Sequence, residues 1–385
     1  MSKKKVLIIS PGLPYPPVDG HKLKLYNLAL QLTEKVDLHL IVISNEKVNT
    51  ECEIFLNQTF SSYKIFRFSK IFYILNLLKS IFNKKIPYQV AYYTFPKVKK
   101  YLESIQENVD YVIFNLIRTT GYIDVFEENQ IILDMVDSIG INYLKSRNKT
   151  SSLLYKLIYL LDTKRLLIHE KKSIKTSKYT LLVNKTEADY YNKYGRVLWL
   201  PNGVNKELLN ISHLNNSPII CFFGAMFYQP NIDAVIWFSK NVFPKLNPHI
   251  KFYIIGGRPS NEILKLSNDR IIVTDFLDNP YDLIASSICT VAPMQTGGGI
   301  QNKVLESMAL GKITVTNDLG SNPIVGSCNM HNILIANSPD EFANLINELF
   351  LYPEKFSQIG INARDLIRKN YSWENYGDFL FKLLN

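Results

Sequence analysis

Three consecutive glycines at positions 297–299 lie between an apolar run and a stretch of helical periodicity. The apolar run, residues 288–293, has the composition of a buried parallel strand, and apolar positions between 304 and 309 predict a helix that Gly311 ends. In doubly wound α/β sheets a strand, a glycine-rich turn and a helix N-terminus present backbone N–H groups to a phosphate. The pattern therefore predicts a phosphate-binding turn.

Two charged residues, Lys303 and Glu306, lie three positions apart in this predicted helix and so on one face of it. Lys303 would add a positive charge for a diphosphate, and Glu306 would accept hydrogen bonds from the hydroxyl groups of a ribose or a sugar. The pattern alone leaves an alternative open, in which a flexible loop precedes an ordinary helix and both charges are solvated.

Residues 297–311, GGGIQNKVLESMALG, resemble the donor-site motif of family 4 glycosyltransferases, retaining enzymes of the GT-B fold, and are most similar to those of bacterial exopolysaccharide-type sugar transferases. Segments 10–20, 200–205 and 222–238 resemble the same family in the same order along the chain. The similarity covers nearly the whole chain, strongly after residue 179 and weakly between residues 45 and 125. Four ordered motifs make the resemblance specific.

The resemblance implies an α/β protein with two doubly wound, Rossmann-like domains facing a cleft. Residues 1–200 would form the acceptor-side domain, completed by a crossover helix at 371–385. The Pro, Asn and Ser content of residues 201–217 predicts a linker, and residues 218–370 would form the nucleotide-sugar donor domain. Thr186 is the predicted N-cap of the helix that follows the strand at 179–184.

The resemblance also implies the residues that hold the donor, a nucleotide diphosphate sugar. These are Gly224, Ala225, Asn231, Phe276, Gly297, Gly298, Gly299, Ile300, Gln301, Lys303 and Glu306. Catalytic roles are predicted for Glu306, Lys303, Asp137 and Arg118, and a first-loop role near the acceptor for Gly20 and His21. A plain turn glycine at position 20 and a surface histidine at position 21 are the alternatives.

Three positions depart from the family pattern. Asn115 ends a predicted strand after which many members carry a histidine near the donor sugar, and Arg118 is the nearest substitute. The loop after Phe223 lacks the Arg and Lys that many members use to hold the diphosphate. Gly298 occupies the place of the first of two glutamates spaced i and i+8, of which Glu306 is the second. The diphosphate is therefore expected to rely on Lys303 and backbone amides.

Composition limits the class of protein. The 385 residues are 46% hydrophobic, enough for two domains with their own cores, and no apolar run reaches the length of a membrane-spanning helix. The N-terminus leads directly into a strand at 6–10, which predicts a cytosolic protein. The four cysteines and six histidines show no metal-ligand or disulfide spacing, so we expect neither a metal nor another cofactor.

Basic charge is concentrated in the first half of the chain. Residues 1–200 contain 30 Lys and Arg against 18 Asp and Glu, a net charge of +12. Segment 69–85 lies in a stretch without acidic residues and predicts a basic, aromatic, amphipathic helix suited to an anionic membrane surface. A helix packed on its own domain, with solvated lysines, is the alternative. Nothing in the sequence resembles a nucleic-acid-binding module, so nucleic acid is not the expected partner.

The resemblance implies a retaining hexosyltransferase that moves a sugar from a nucleotide diphosphate sugar to a lipid-linked or saccharide acceptor, and the basic aromatic segment places it at the inner face of the cytoplasmic membrane. A non-catalytic nucleotide-sugar-binding partner of a polysaccharide assembly complex is the alternative from another class. A nucleotide-sugar epimerase would need several acid and base residues around the sugar, which the sequence does not offer. A dehydrogenase would need a Gly-x-Gly-x-x-Gly turn after the first strand, which is absent.

Overall fold

The apolar segments of the chain form two separate parallel sheets. The computed structural model of the protein describes residues 3–17, 20–82, 85–147, 153–211, 217–296 and 299–385. The chain divides into two units: unit 1 comprises Met1–Pro201 and Tyr376–Asn385, and unit 2 comprises Asn202–Asn375.

Unit 1 contains a seven-stranded parallel sheet with the strand order β3-β2-β1-β4-β5-β6-β7. The strands are β1 Lys5–Ser10, β2 Asp37–Ile43, β3 Ser62–Phe66, β4 Tyr111–Asn115, β5 Ile131–Val136, β6 Tyr179–Leu182 and β7 Val197–Trp199. The central strands are buried along nearly their whole length, as expected for a sheet covered by helices on both faces. Strand β3, which the sequence analysis missed, is an edge strand in which exposed and partly buried residues alternate before the buried Phe66.

Helices connect the successive parallel strands of unit 1. They are α1 Gly20–Leu32, α2 Thr50–Thr59, α3 Lys70–Phe82, α4 Tyr88–Tyr92, α5 Pro96–Ile105, α6 Ile139–Ser146, α7 Leu153–Lys175 and α8 Lys185–Tyr191. Short 3₁₀ helices occupy Gln106–Asn108, Ile117–Val125, Glu128–Gln130 and Asn192–Tyr194. Helix α3 coincides with most of the predicted amphipathic segment 69–85, of which residues 83–84 lie outside the described residues.

The prediction that Thr186 caps α8 is wrong. The N-cap is Asn184, whose Oδ1 accepts hydrogen bonds from the backbone N–H groups of Thr186 at 2.9 Å and Glu187 at 3.3 Å. An Asn side chain reaches the N–H groups two and three positions ahead, which leaves Thr186 inside the first turn.

Unit 2 contains a six-stranded parallel sheet with the order β10-β9-β8-β11-β12-β13. Its strands are β8 Ile219–Phe223, β9 Lys251–Ile255, β10 Ile271–Val273, β11 Cys289–Ala292, β12 Thr314–Thr316 and β13 Leu334–Ile335. Its helices are α9 Gln229–Asn241, α10 Asn261–Leu264, α11 Tyr281–Ala285, α12 Asn302–Ala309, α13 Asp318–Ser321, α14 Pro339–Leu351, α15 Ser357–Asn370 and the first residues of α16 Trp373–Leu384, with 3₁₀ helices at Lys206–Asn210, Phe243–Lys245 and Pro353–Phe356.

The predicted linker groups mostly with unit 2, and the predicted crossover helix is divided between the two units. Residues 202–211 of the predicted linker 201–217 group with unit 2, and positions 212–216 lie outside the described residues. The last helix, α16, is divided, because Tyr376–Asn385 groups with unit 1. There Gly377 packs against Gln31 of α1 so closely that a Cβ would lie 2.5 Å from the Gln31 Cβ.

Each sheet has one point at which the strand order reverses. In unit 1 the reversal lies between β1 and β4, and in unit 2 between β8 and β11. The helices that follow two such neighbouring strands lie on opposite faces of the sheet, which opens a crevice at the carboxyl ends of the strands. The loop before α12 starts at the carboxyl end of β11, and Gly224 follows β8 directly, so both lie at the reversal point of unit 2.

Candidate functional site

Helix α12 follows the glycine-rich loop, as the sequence predicts. It ends in a Schellman motif, in which Gly311 has a φ of +68°. The Gly311 N–H donates to the Met308 carbonyl at 2.9 Å and the Lys312 N–H to the Ser307 carbonyl at 3.0 Å. At the other end Gln301 is the N-cap, and within the described part of the chain no side chain caps the first turn. The Val304 N–H donates to the Gln301 carbonyl at 2.9 Å, so the N–H groups of the first two helical residues, Asn302 and Lys303, are the ones available to a ligand.

The glycine-rich loop itself is described only in part. Gly297 and Gly298 lie outside the described residues. The Gly299 carbonyl accepts a hydrogen bond from Gln301 Nε2 at 3.3 Å, and Ile300 is partly buried between them. The described half of the loop thus leads directly into the open first turn of α12.

Lys303, on α12, contacts residues of β8 and α9 at the reversal point of unit 2. Its Nζ donates a hydrogen bond to Asn231 Oδ1 at 2.7 Å and lies 5.0 Å from the ring centre of Phe222, on β8. Asn231 Nδ2 in turn donates to the Ala225 carbonyl at 2.9 Å. A Cβ on Gly224 would lie 3.3 Å from Lys303 Cε. The structure therefore brings together Gly224, Ala225, Asn231 and Lys303.

Glu306 lies one turn further along α12. Its Oε2 accepts a hydrogen bond from the Tyr281 hydroxyl at 3.3 Å. Burial raises the pKa of Glu306 to about 7, and burial lowers the pKa of Lys303 to about 8. Near neutral pH the site thus presents a cation and, one turn away, a carboxylate close to its titration point, a pair suited to an anion attached to a hydroxyl-bearing ring.

Two glycines allow the backbone turns after β8 and β9 to approach each other closely. Gly224 and Gly256 follow the neighbouring strands β8 and β9, with φ of +143° and +154°. A Cβ on Gly256 would lie 1.8 Å from the Gly224 carbonyl oxygen, a backbone atom that cannot move aside alone. The close approach holds the Gly224 turn in place beneath Lys303.

Replacing Gly256 with Ala should lower the free energy of unfolding by roughly 1–3 kcal/mol, because the new Cβ meets backbone in a φ region that alanine rarely adopts. Urea unfolding measures the change. Gly257→Ala is the matched control: its Cβ would lie 3.3 Å from the Cβ of Phe276, whose ring is exposed. Equal stability of the two variants would contradict a special role for Gly256.

Exposed aromatic rings surround the carboxyl ends of β8–β10. Phe276, a predicted donor residue, is 73% exposed and its N–H donates to Asp275 Oδ1 at 2.7 Å. The Arg258 guanidinium stacks on the Phe227 ring at 4.1 Å, and the Arg258 N–H donates to the same carboxylate oxygen at 3.1 Å. Flat, exposed aromatic rings at the carboxyl edge of a sheet can stack on the base of a nucleotide.

In unit 1, Asp137 follows β5 after Val136, whose φ is +64°. Asp137 Oδ1 is buried without a hydrogen-bond partner in the described part of the chain, and burial raises the pKa of this carboxyl. The next residue, Ser138, donates its N–H to Glu187 Oε2 at 2.8 Å, and burial raises the pKa of Glu187 to about 7. An unpaired buried carboxyl oxygen is the kind of group that a ligand hydroxyl satisfies.

The other predicted site residues of unit 1 lie on elements different from the strand end that carries Asp137. Gly20 is the first residue of α1, and open space surrounds its Cβ position; His21 follows it, with its ring beside Gly12. Arg118 lies in the 3₁₀ helix Ile117–Val125 and lines a cavity. Asn115, buried at the end of β4, has an Nδ2 without a hydrogen-bond partner among the described residues.

Sequence reasoning missed three residues that contact or support Lys303, Glu306 and Gly224. These are Tyr281, which contacts Glu306, Phe222, which lies under Lys303, and Gly256, which holds the Gly224 turn. A glycine directly after a buried strand was a detectable signal for Gly256, whereas the contact of Tyr281 is a consequence of tertiary packing. The described residues contain no group of three or more His, Cys, Asp or Glu side chains able to hold a metal ion.

The sequence of unit 2 matches a known family. Residues 217–351 match the model of the family described as Glycosyl transferases group 1. An uncharacterized glycosyltransferase of Methanocaldococcus jannaschii is 23% identical over 163 residues, which span 40% of this chain and 42% of that relative. The chain thus spans less than half of that relative's length in the match.

Solved structures resemble the whole chain. Anabaena HepE in complex with UDP superimposes with a TM-score of 0.67 at 13% identity, covering 99% of each chain. The lipopolysaccharide outer core galactosyltransferase WaaB superimposes with a TM-score of 0.63 at 12% identity, covering 98% of each chain. These likenesses confirm the predicted GT-B fold of two Rossmann-like domains.

Proposed function

We propose that the protein is a glycosyltransferase that moves a hexosyl group from a nucleotide diphosphate sugar to a lipid-linked or saccharide acceptor, with retention, in the synthesis of a cell-surface polysaccharide. The observation that carries the proposal is the convergence of Lys303, Asn231 and Gly224 at the reversal point of unit 2, next to the open first turn of α12. Glu306, one turn away, would accept the ribose hydroxyls. The family match over unit 2 and the UDP bound by HepE support this assignment.

In this proposal the departing diphosphate is stabilised by Lys303 and by backbone N–H groups rather than by a metal ion held by the protein. A buried cation and oriented N–H groups act strongly on the developing charge because little water screens them. The acceptor oxygen attacks the anomeric carbon on the face from which the sugar–phosphate bond breaks. The electron pair of that bond and the acceptor proton both go to the leaving phosphate oxygen. Detection of a covalent glycosyl–enzyme would contradict this front-face route.

A nucleotide-dependent thermal shift tests the donor site. We expect one of UDP, GDP, ADP and TDP to stabilise the wild type, by roughly 2.7 kcal/mol at a hundred times its dissociation constant. Glu306→Ala should lose most of that increment, because a ribose loses its carboxylate acceptor. Glu262→Ala, which removes an exposed glutamate of α10, is the control and should keep the increment. The absence of a shift with all four nucleotides would favour a protein that does not bind a donor.

Helix α3 supports a peripheral association with an anionic membrane on the cytoplasmic side. Its buried face carries Tyr73 and Ser80, whereas an aliphatic stripe faces outwards. The stripe consists of Ile71, Ile74, Leu75, Leu78 and Ile81, each between 42% and 57% exposed. None of the described helices is both long and apolar enough to cross a bilayer. An exposed aliphatic stripe with lysines beside it is typical of a helix that lies in the membrane interface.

The double variant Leu75→Ser, Leu78→Ser should bind phosphatidylglycerol vesicles at least about tenfold more weakly than the wild type. Two exposed aliphatic side chains that become buried in the bilayer contribute well over 1.4 kcal/mol to insertion. Vesicle flotation measures the change. Ile54→Ser, Leu30→Ser, which removes two exposed aliphatic chains from other helices of unit 1, is the matched control. Unchanged binding of the α3 variant would show that this stripe does not contact the bilayer.

A further inference from the structure

A cavity of about 500 Å³ lies within unit 1, between α3, α4, α7 and the 3₁₀ helix Ile117–Val125. Its walls are mostly apolar and aromatic. Leu77 and Ile81 of α3 and Leu157 and Leu161 of α7 line it, together with Tyr92 and Arg118. Ile81, Leu157 and Leu161 are each about half exposed, so the cavity is open on the side where the α3 stripe faces outwards. A volume of this size is in the range of sites that enclose most of a small ligand.

Arg118 is the charged side chain among the residues that line the cavity. Its Nε is buried without a hydrogen-bond partner in the described part of the chain, whereas the Tyr93 hydroxyl forms a hydrogen bond with its guanidinium. None of the ion pairs among the described residues involves Arg118. The nearest carboxylate to the cavity residue Tyr88 is engaged by the backbone, because the two oxygens of Asp162 accept hydrogen bonds from the Tyr88 N–H at 3.0 and 3.1 Å. A partly buried guanidinium with no carboxylate partner among the described residues favours an anionic ligand.

The fold gives the cavity a polar end and an apolar end. Arg118 follows β4 by three residues, so it lies at the carboxyl edge of the sheet, beside the reversal point between β1 and β4. The aliphatic walls belong to α3 and α7, whose outer faces carry exposed leucines such as Leu78 and Leu160. Lys79 and Lys156 lie on the same two helices and are exposed. An anionic headgroup would therefore lie at the sheet edge and an apolar chain between the two helices.

We propose that this cavity binds a single-chain lipid phosphate, with the chain between α3 and α7 and the phosphate or diphosphate paired with Arg118. The inference deepens the proposed function and rests on it, because this lipid would be the acceptor or its carrier. One cavity of about 500 Å³ with one cation suits one chain and one headgroup, whereas a two-chain glycerophospholipid would leave its second chain outside.

Calorimetry with geranylgeranyl diphosphate on the full chain tests the proposal. Arg118→Met should weaken binding at least about tenfold, because a charged hydrogen bond contributes more than the 1.4 kcal/mol that a tenfold change represents. The affinity for geranylgeraniol, which lacks the diphosphate, should not change. Arg118→Lys should retain part of the affinity, and Arg67→Met, which removes an exposed arginine of unit 1, should retain all of it.

A second variant separates the cavity from the donor site. Leu161→Glu should abolish binding of both geranylgeranyl diphosphate and geranylgeraniol, because it places a carboxylate against the apolar chain, and should leave the nucleotide-dependent thermal shift unchanged. Lipid binding that is insensitive to both Arg118→Met and Leu161→Glu would overturn the proposal. So would Arg118-dependent binding to phosphatidylglycerol vesicles without binding of the diphosphate. If no nucleotide shifts the wild type while lipid binding behaves as expected, the proposed transferase function fails and the lipid site stands.

Discussion

Lys303→Met should lower the rate of glycosyl transfer by about two to three orders of magnitude, the usual consequence of removing one preorganised group that stabilises transition-state charge. The Lys303 Nζ lies 2.7 Å from Asn231 Oδ1 and sits over the Phe222 ring, so its position is held before a ligand arrives. Asn231 keeps its hydrogen bond to the Ala225 carbonyl in the variant, so the loop should stay in place. Initial rates with sugar donors of the nucleotide identified by the thermal shift measure the loss.

The control for this variant is Lys240→Met, which removes an exposed lysine from the last turn of α9 and should leave the rate unchanged. A Lys303→Met rate within about twofold of the wild type would show that backbone N–H groups carry the diphosphate without this cation.

Lys303 and Glu306 together predict a pH profile for nucleotide binding. Burial lowers the pKa of Lys303 to about 8, so its positive charge, and with it the affinity for a diphosphate, is lost as the pH rises through about 8. Burial raises the pKa of Glu306 to about 7, so the carboxylate is lost as the pH falls through about 7. Affinity should therefore be highest between these values. Lys303→Arg should remove the decline on the alkaline side, because a guanidinium stays charged.

Asp134→Ala should lower the free energy of unfolding by about 3–5 kcal/mol, because it leaves the Lys24 ammonium buried and unpaired. Lys24 on α1 and Asp134 on β5 are both fully buried, and Nζ lies 2.5 Å from Oδ1. The Lys24 Nζ also lies 5.7 Å from the ring centre of Tyr376, a residue of α16 that belongs to unit 1. Chemical unfolding followed by circular dichroism measures the loss.

The double variant Lys24→Met, Asp134→Leu should recover most of that stability, because replacing both partners removes the uncompensated charge. Asp189→Ala is the surface control: it breaks the exposed i,i+4 pair with Lys185 and should not change stability measurably. If Asp134→Ala and Asp189→Ala unfold at the same denaturant concentration, the buried pair has no special role in stability.

The sequence by itself determined the fold class, through its resemblance to a glycosyltransferase family, and the location of α12 and of the strand before the glycine-rich loop. Continuous apolar runs followed by glycine or polar residues are local signals, and a parallel sheet buried on both faces requires them. Strand β3 was missed because its residues alternate between exposed and partly buried positions, as is usual at a sheet edge. Lys303 and Glu306 were predicted together because their spacing along one helix is also a local property.

Only the tertiary structure decided which residues meet. The strand order places the ends of β8 and β11 side by side, and this brings Asn231 to Lys303 although 72 positions separate them. It also pairs Lys24 with Asp134, and it opens the cavity beside Arg118 between helices that are far apart in the sequence. Such contacts depend on the packing of whole elements, and a residue's local pattern carries no information about a partner from a distant strand or helix.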